Sequence, residues 1–356
     1  MEFYYNNLTK EQKKTYYAMK EGLLAMVPSF VVPAVSRKEL SDIYFLIRLD
    51  NPQIFYTNTF KYRQWEGSDN VEIMPTYMFE KKKIMEHRQA MEARVKKLSR
   101  QAEKLGEREK LLFIHDLICT SVTYDKLKKA YSHEIIGALG HGVAVCEGIA
   151  KAVKALCDAL GIWCTIAISG ANPEKGIKYR HAWNIVKIGK KYYHLDATFD
   201  NSVGNAEAIR YDYVCLGDKQ IFRDHEPVIW KVPECTDGGA SYYQEKKLSF
   251  TKMEDVAKRS LQAAKKGRVL TFHWRGGYLS KEVFDEIVSN LKESGAAREK
   301  HAVVSVNWPQ AVFRVEYKEN RVEDEVLMQE ANEGELYDTE GENVVILKGG
   351  ENYATY

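Results

Sequence analysis

Ala144-Val145-Cys146-Glu147-Gly148-Ile149-Ala150-Lys151 decides how this chain is read, because it puts a cysteine where a loop becomes a helix. From Cys146 onward, Ile149, Val153, Leu156 and Leu160 form one apolar stripe at helical spacing, with Ala150, Ala152, Ala155 and Ala159 as small fillers. Gly161 stands where a helix-terminating glycine belongs. Upstream, Gly140-His141-Gly142 reads as loop. Cys146 is therefore expected at a helix N-terminus, where backbone N–H groups lack acceptors and the positive end of the dipole favours an anion. That position stabilises a thiolate and an oxyanion forming beside it. A reactive cysteine further demands a histidine as base and an acid to orient it.

Both follow within fifty residues. Ile162–Ser169 reads as a buried strand and Gly170–Gly176 as a loop. Then His181-Ala182-Trp183-Asn184-Ile185-Val186-Lys187-Ile188, a turn at Gly189-Lys190, and Lys191-Tyr192-Tyr193-His194-Leu195-Asp196-Ala197-Thr198 read as a hairpin. A two-residue turn sets Ile188 opposite Lys191, hence Trp183 opposite Asp196 and His181 opposite Thr198. His181 and Asp196 then become diagonal neighbours on one face, roughly 7 Å apart along the backbone. A three-residue turn would slip this register. Asp is disfavoured within strands, which points to a specific partner for Asp196.

These motifs together resemble the core of the transglutaminase-like superfamily, most closely its bacterial branch of cysteine proteases and transglutaminases. The resemblance rests on Gly142-Val143-Ala144-Val145-Cys146-Glu147-Gly148, on His181-Ala182-Trp183-Asn184, and on His194-Leu195-Asp196-Ala197-Thr198-Phe199-Asp200. Ile114-His115-Asp116 with Tyr124-Asp125 upstream, and Tyr213 through Asp218 to His225 downstream, agree with it, so that it spans Ile114 to Phe250 with a weaker echo at the N-terminus. It implies a papain-like α+β fold in which Cys146 is the nucleophile, His181 the base and Asp196 its orienter. The implied reaction is acyl transfer on amide bonds, by a cysteine protease or amidase if water accepts the acyl group and by a transglutaminase if an amine does. The expected partner is a protein or peptide substrate, and the chemistry needs neither metal nor cofactor. Many relatives have Tyr where this chain has Ile149 and Trp where it has Phe199; both read as packing positions. Tyr131, His133 and His141 are open candidates for a side-chain oxyanion donor, and Trp183 for core or pocket wall.

Other readings of the same residues carry less. Cys146 by itself would be a buried structural thiol, and His194 a packed hairpin histidine. His115-Asp116 lacks the further His and Asp ligands of a metal phosphohydrolase. Gly140-His141-Gly142 is not followed by the Gly-Lys-Ser/Thr of a phosphate loop. A zinc site from Cys146, His181 and Asp196 finds no Cys-x-x-Cys support among Cys119, Cys146, Cys157, Cys164, Cys215 and Cys235. The alternative function is a non-catalytic peptide- or cell-wall-binding module on the same fold; a purely structural scaffold has least in its favour.

The flanks extend the picture. Thr9-Lys10-Glu11-Gln12 and Ser36-Arg37-Lys38-Glu39 fit the capping box, with Val35 and Leu40 as a staple. Ile54–Phe60 and Val71–Tyr77 read as strands, and Ile84, Met91, Val95, Leu98, Ala102 and Leu105 as one face of a long helix ending at Gly106. Thr251-Lys252-Met253-Glu254 reads as a third capping box, Arg268–Trp274 as a strand, Ser280–Leu291 as a helix and Val303–Tyr317 as a hairpin. The organisation expected is an N-terminal, mainly helical extension (1–113), a catalytic core (114–237) and a small α+β module with an acidic tail (238–356). From Glu319 to Tyr356 eleven acids face two bases, a net of −9, so the remainder carries +11. That stretch is expected as a solvated tail or exposed hairpin. The overall charge of +2 gives no reason to expect nucleic acid. No apolar run is long enough to span a bilayer, so no membrane insertion is expected. The chain reads as soluble, cytoplasmic as written, and extracellular or cell-surface if a leader has been removed.

Overall fold

Two reciprocal caps open the chain. Thr9 Oγ1 accepts from the Gln12 amide at 3.3 Å while Gln12 Oε1 accepts from the Thr9 amide at 3.1 Å. Ser36 and Glu39 repeat the exchange at 3.2 and 3.0 Å. Each satisfies amides that the first helical turn leaves without acceptors. This computed structural model describes residues 2–204, 208–319 and 342–347. In chain order its elements are α1 (Phe3–Asn7), α2 (Lys10–Ala25), β1 (Phe30–Pro33), α3 (Arg37–Asp50), β2 (Thr57–Gln64), β3 (Asn70–Tyr77), α4 (Lys81–Ser99) and α5 (Glu107–Ser121). Then come β4 (Thr123–Tyr124), β5 (Val143–Ala144), α6 (Cys146–Ala159), β6 (Cys164–Ser169), β7 (His181–Ile188), β8 (Lys191–Leu195) and α7 (Ala197–Val203). The remainder is β9 (Val214–Leu216), α8 (Asp218–Ile221), α9 (Tyr242–Glu245), β10 (Ser249–Phe250), α10 (Met253–Lys266), β11 (Leu270–Trp274), α11 (Lys281–Ala296), β12 (Lys300–Asn307), β13 (Val312–Glu319) and β14 (Glu342–Leu347). The acidic C-terminal stretch, apart from Glu319 and 342–347, lies outside the described residues.

The chain divides into two compact units, residues 1–209 with 226–237 and residues 210–225 with 238–356. In the first unit, β6, β7 and β8 form an antiparallel sheet. Ile188 pairs with Lys191 and Asn184 with Leu195, the register that a two-residue turn at Gly189-Lys190 dictates. Ser169 pairs with His181 on the other side. α6 lies against β7, and its Ala150 joins Ile166, Ile168, Ala182, Leu46 and Tyr4 in one apolar cluster. A second cluster gathers Tyr16, Leu23, Ile47, Phe55 and Ile73 with Ile135 and Ile136, so the N-terminal elements pack on the segment that leads into α6. Tyr4 Oη donates to the Ile166 carbonyl at 2.5 Å, fastening α1 to β6. In the second unit the sheet order is β10-β11-β13-β12-β14, with only β10–β11 parallel among these pairs. Phe272, Phe313, Val304 and Ile287 fill its core.

Four local expectations change. Ile54, Phe55 and Tyr56 are all fully buried, so they plug the core in succession rather than alternate along a strand, and β2 begins only at Thr57. The helix expected to reach Leu105 stops at Ser99, because the chain turns there to bury Ala102 and leave Leu105 largely exposed. Thr251 does not cap α10: the cap position falls on Lys252, whose side chain has no acceptor to offer. Asp196 is not a strand residue. β8 ends at Leu195, and Asp196 caps α7.

Asn184, buried in β7, donates to the Ala150 carbonyl at 2.9 Å and so ties the sheet to α6. Replacing it by Ala should cost about 1–3 kcal/mol, read as a lower urea midpoint with an unchanged slope. An unchanged midpoint would mean that apolar packing alone docks the sheet on the helix.

Candidate active site

α6 begins at Cys146 itself, after Val145 in extended conformation. No side chain caps this end, so the amides of Cys146, Glu147 and Gly148 open the helix with no internal acceptors. What fixes the turn is backbone contact. Val145 donates to the Ser132 carbonyl at 3.0 Å, and a Cβ on Gly148 would lie 2.2 Å from that same oxygen, so only glycine fits there. Cys146 is the one cysteine of the six that is not buried.

His181 enters from the first residue of β7. Its Nε2 lies 2.6 Å from Asp196 Oδ2. The imidazole stacks on Trp183 at 5.7 Å and packs against Phe199 at 4.8 Å. Trp183 is held in turn by its Nε1–H, which donates to His194 Nδ1 at 2.9 Å. Asp196 is fully buried. Its Oδ1 accepts from the amides of Thr198 at 2.8 Å and Phe199 at 3.1 Å, while Oδ2 faces His181. Burial by itself lowers the pKa of His181. The Asp196 charge and hydrogen bond, with those of Cys146, outweigh it and raise the value from 6.5 to about 10. The Asp196 carboxylate thus favours the protonated imidazole.

The three remaining candidates lie on the segment before Cys146, and among the described contacts each has another occupation. Tyr131 and His141 pack ring to ring at 4.8 Å, and Tyr131 leans on the N-terminal core. His133 Nδ1 lies 3.3 Å from Glu147 Oε2. Trp183 is a buried wall behind His181. Ile149 is buried in α6, and Phe199 packs on the imidazole.

A group the sequence reading overlooked adjoins Cys146. Lys151, completely buried, places its Nζ 2.7 Å from Glu147 Oε1, 2.9 Å from Glu134 Oε2 and 3.2 Å from the His133 carbonyl. Arg48 from α3 bonds Glu134 and stands 3.7 Å from Glu147. Burial would raise the pKa of Glu147, but the Lys151 charge, the His133 contact and the Arg48 charge hold it well below its ordinary value. The Glu147/Lys151 spacing of four was the only part of this cluster visible in the sequence.

Residues 93–197 match the family model of the transglutaminase-like superfamily. The matched segment runs from α4 to the first residue of α7 and contains Cys146, His181 and Asp196. The protein is thus a mixed helix-and-sheet structure with a transglutaminase-like core. No curated protein matches the chain. Among solved structures, that of a TGase is similar at 15% identity with a TM-score of 0.27, over 40% of this chain and 44% of that one. One described as "a Putative Cysteine Protease from Cytophaga hutchinsonii" is similar at 16% identity with a TM-score of 0.27, over 39% of this chain and 61% of that one. In both, the match covers less than two thirds of the other protein.

Because the folded value for His181 lies above the ordinary 6.5, its imidazolium stabilises the fold fully below about pH 6.5 and ceases to as pH rises through about 10. In Asp196→Asn, where Asn still caps α7, the titration of His181 followed by NMR should fall by more than one pH unit. If it stays in place, Asp196 is a helix cap and nothing more.

Proposed function

We propose that this protein catalyses thiol-dependent acyl transfer on amide bonds, using Cys146, His181 and Asp196 on a papain-like core. The observation that carries the reading is the 2.6 Å contact of His181 Nε2 with buried Asp196, on an imidazole whose proton affinity is raised by both Asp196 and Cys146, with Cys146 at the start of α6.

In this reading the Cys146 thiolate attacks the amide carbonyl carbon, and the carbonyl π electrons move to oxygen. The resulting oxyanion forms beside the Cys146 amide and the positive end of α6. The C–N bond then breaks, the amine leaves with the proton held on His181, and a thioester remains on Sγ. Water or a second amine, losing its proton to His181, attacks the thioester and releases Cys146. Water makes the enzyme a peptidase or amidase; an amine makes it a transglutaminase. Asp196 keeps the imidazole in one orientation and tautomer throughout. The substrate class is a protein or peptide amide.

The test is the iodoacetamide alkylation rate of each cysteine against pH, read by peptide mass spectrometry. Exposure alone would make Cys146 the fastest, so the deciding comparison is His181→Ala. In the wild type, Cys146 should react rapidly at neutral pH, and in His181→Ala its rate at that pH should fall at least tenfold. A Cys146 indifferent to His181 sinks the reading and leaves a peptide-binding role on the same fold.

A further inference from the structure

The acyl-transfer reading uses Cys146, His181 and Asp196 and leaves unexplained the buried charges that begin at the next residue, Glu147. Four ionised side chains gather there from three parts of the chain: Arg48 of α3, Glu134 of the segment leading to α6, and Glu147 and Lys151 of α6 itself. Arg48, Glu134 and Lys151 are 7, 1 and 0% exposed, and Glu147 16%. Burying four charges is expensive, and well-packed apolar residues of similar size often serve stability as well or better. Their total charge is zero, two guanidinium or ammonium groups against two carboxylates. Both cations reach both carboxylates, and one of these, Glu147, adjoins Cys146 in sequence.

We infer that Arg48, Glu134, Glu147 and Lys151 form a charge-balanced mount for Cys146, which fixes the first turn of α6 and cancels the field of Glu147 at the sulfur. These are positioning residues, acting through Cys146. Without the two cations, Glu147 would place a buried negative charge one residue from a sulfur that must itself become negative. Among the described residues, other titratable groups on the elements packed against α6 have partners of their own. His181 comes from β7 and Asp196 from the cap of α7, and His133 leans on Glu147. β5 and β6 carry no charged residue. α5 turns His115 onto Asp200, His141 packs on Tyr131, and α4 sets His87 against Phe79 and Arg88 toward Tyr56.

The inference deepens the acyl-transfer reading and rests on it for its purpose, but its test is separate. The pH midpoint of Cys146 alkylation is measured in Lys151→Met, in Glu147→Gln and in the balanced double variant Lys151→Met/Glu134→Gln. Lys151→Met leaves an excess negative charge and should raise the midpoint by about one pH unit, a tenfold slower reaction at a fixed pH below it. Glu147→Gln leaves an excess positive charge and should lower the midpoint by about as much. The double variant, neutral again, should return to the wild-type midpoint. If Lys151→Met does not fold, the downward shift of Glu147→Gln and the return in the double variant decide the matter. Midpoints that stay put, or that all move one way, overturn the inference, because loss of structure alone lowers rates without opposed shifts. His181→Ala, run in parallel, tests the acyl-transfer reading independently: indifference there with opposed shifts here would leave the mount standing without the reaction.

Discussion

The carboxylate of Asp196 holds the site together. It is fully buried, and both its oxygens are occupied: Oδ1 by the amides that start α7, Oδ2 by the imidazole of His181. A buried carboxylate is tolerated only when donors replace the water it has lost, and a helix N-terminus supplies two of them with a favourable dipole. The same bonds that satisfy the charge therefore fix where β8 ends, where α7 begins and how the imidazole is turned. α7 is pinned again one turn later, where Asp200 Oδ2 meets His115 Nε2 of α5 at 3.0 Å.

The two sides of the site are held by different means. His181 is clamped by aromatic faces and one short charged hydrogen bond. Cys146 is held through its backbone, by the Ser132 carbonyl pressed against Gly148 and by the ion cluster behind the first turn of α6. Removing one member of that cluster would strand a buried charge, which costs more than the intact cluster contributes. Between the two sides runs the Asn184 bond to Ala150, which couples sheet to helix.

Much of the core was readable because its signals are local. The apolar stripe from Ile149 to Leu160 is a helix period, and a two-residue turn at Gly189-Lys190 sets the pairing of Asn184 with Leu195. The two N-terminal capping boxes are four-residue patterns and appear as written. Asp196 was misplaced by the same method. Strand alternation continued past Leu195 on paper, whereas the chain gains two amide bonds to Asp196 by turning into a helix. Ile54-Phe55-Tyr56 failed for a related reason: three consecutive buried residues belong to a core packed from all sides, which a period of two cannot describe.

By itself the sequence determined that a cysteine opens a helix, that a histidine heads a strand, and that an acid follows at the far end of a hairpin, since each depends on residues within a few positions. Only the tertiary structure decided that Asp196 serves cap and imidazole at once, that Arg48 reaches Glu134 across 86 residues, and that Lys151 reaches Glu134 across 17. Long-range pairing of buried charges leaves no periodic trace in a sequence. Its partners are chosen by which elements pack together, and that choice is made by the apolar cores of α3, β6 and α6 rather than by the charges themselves.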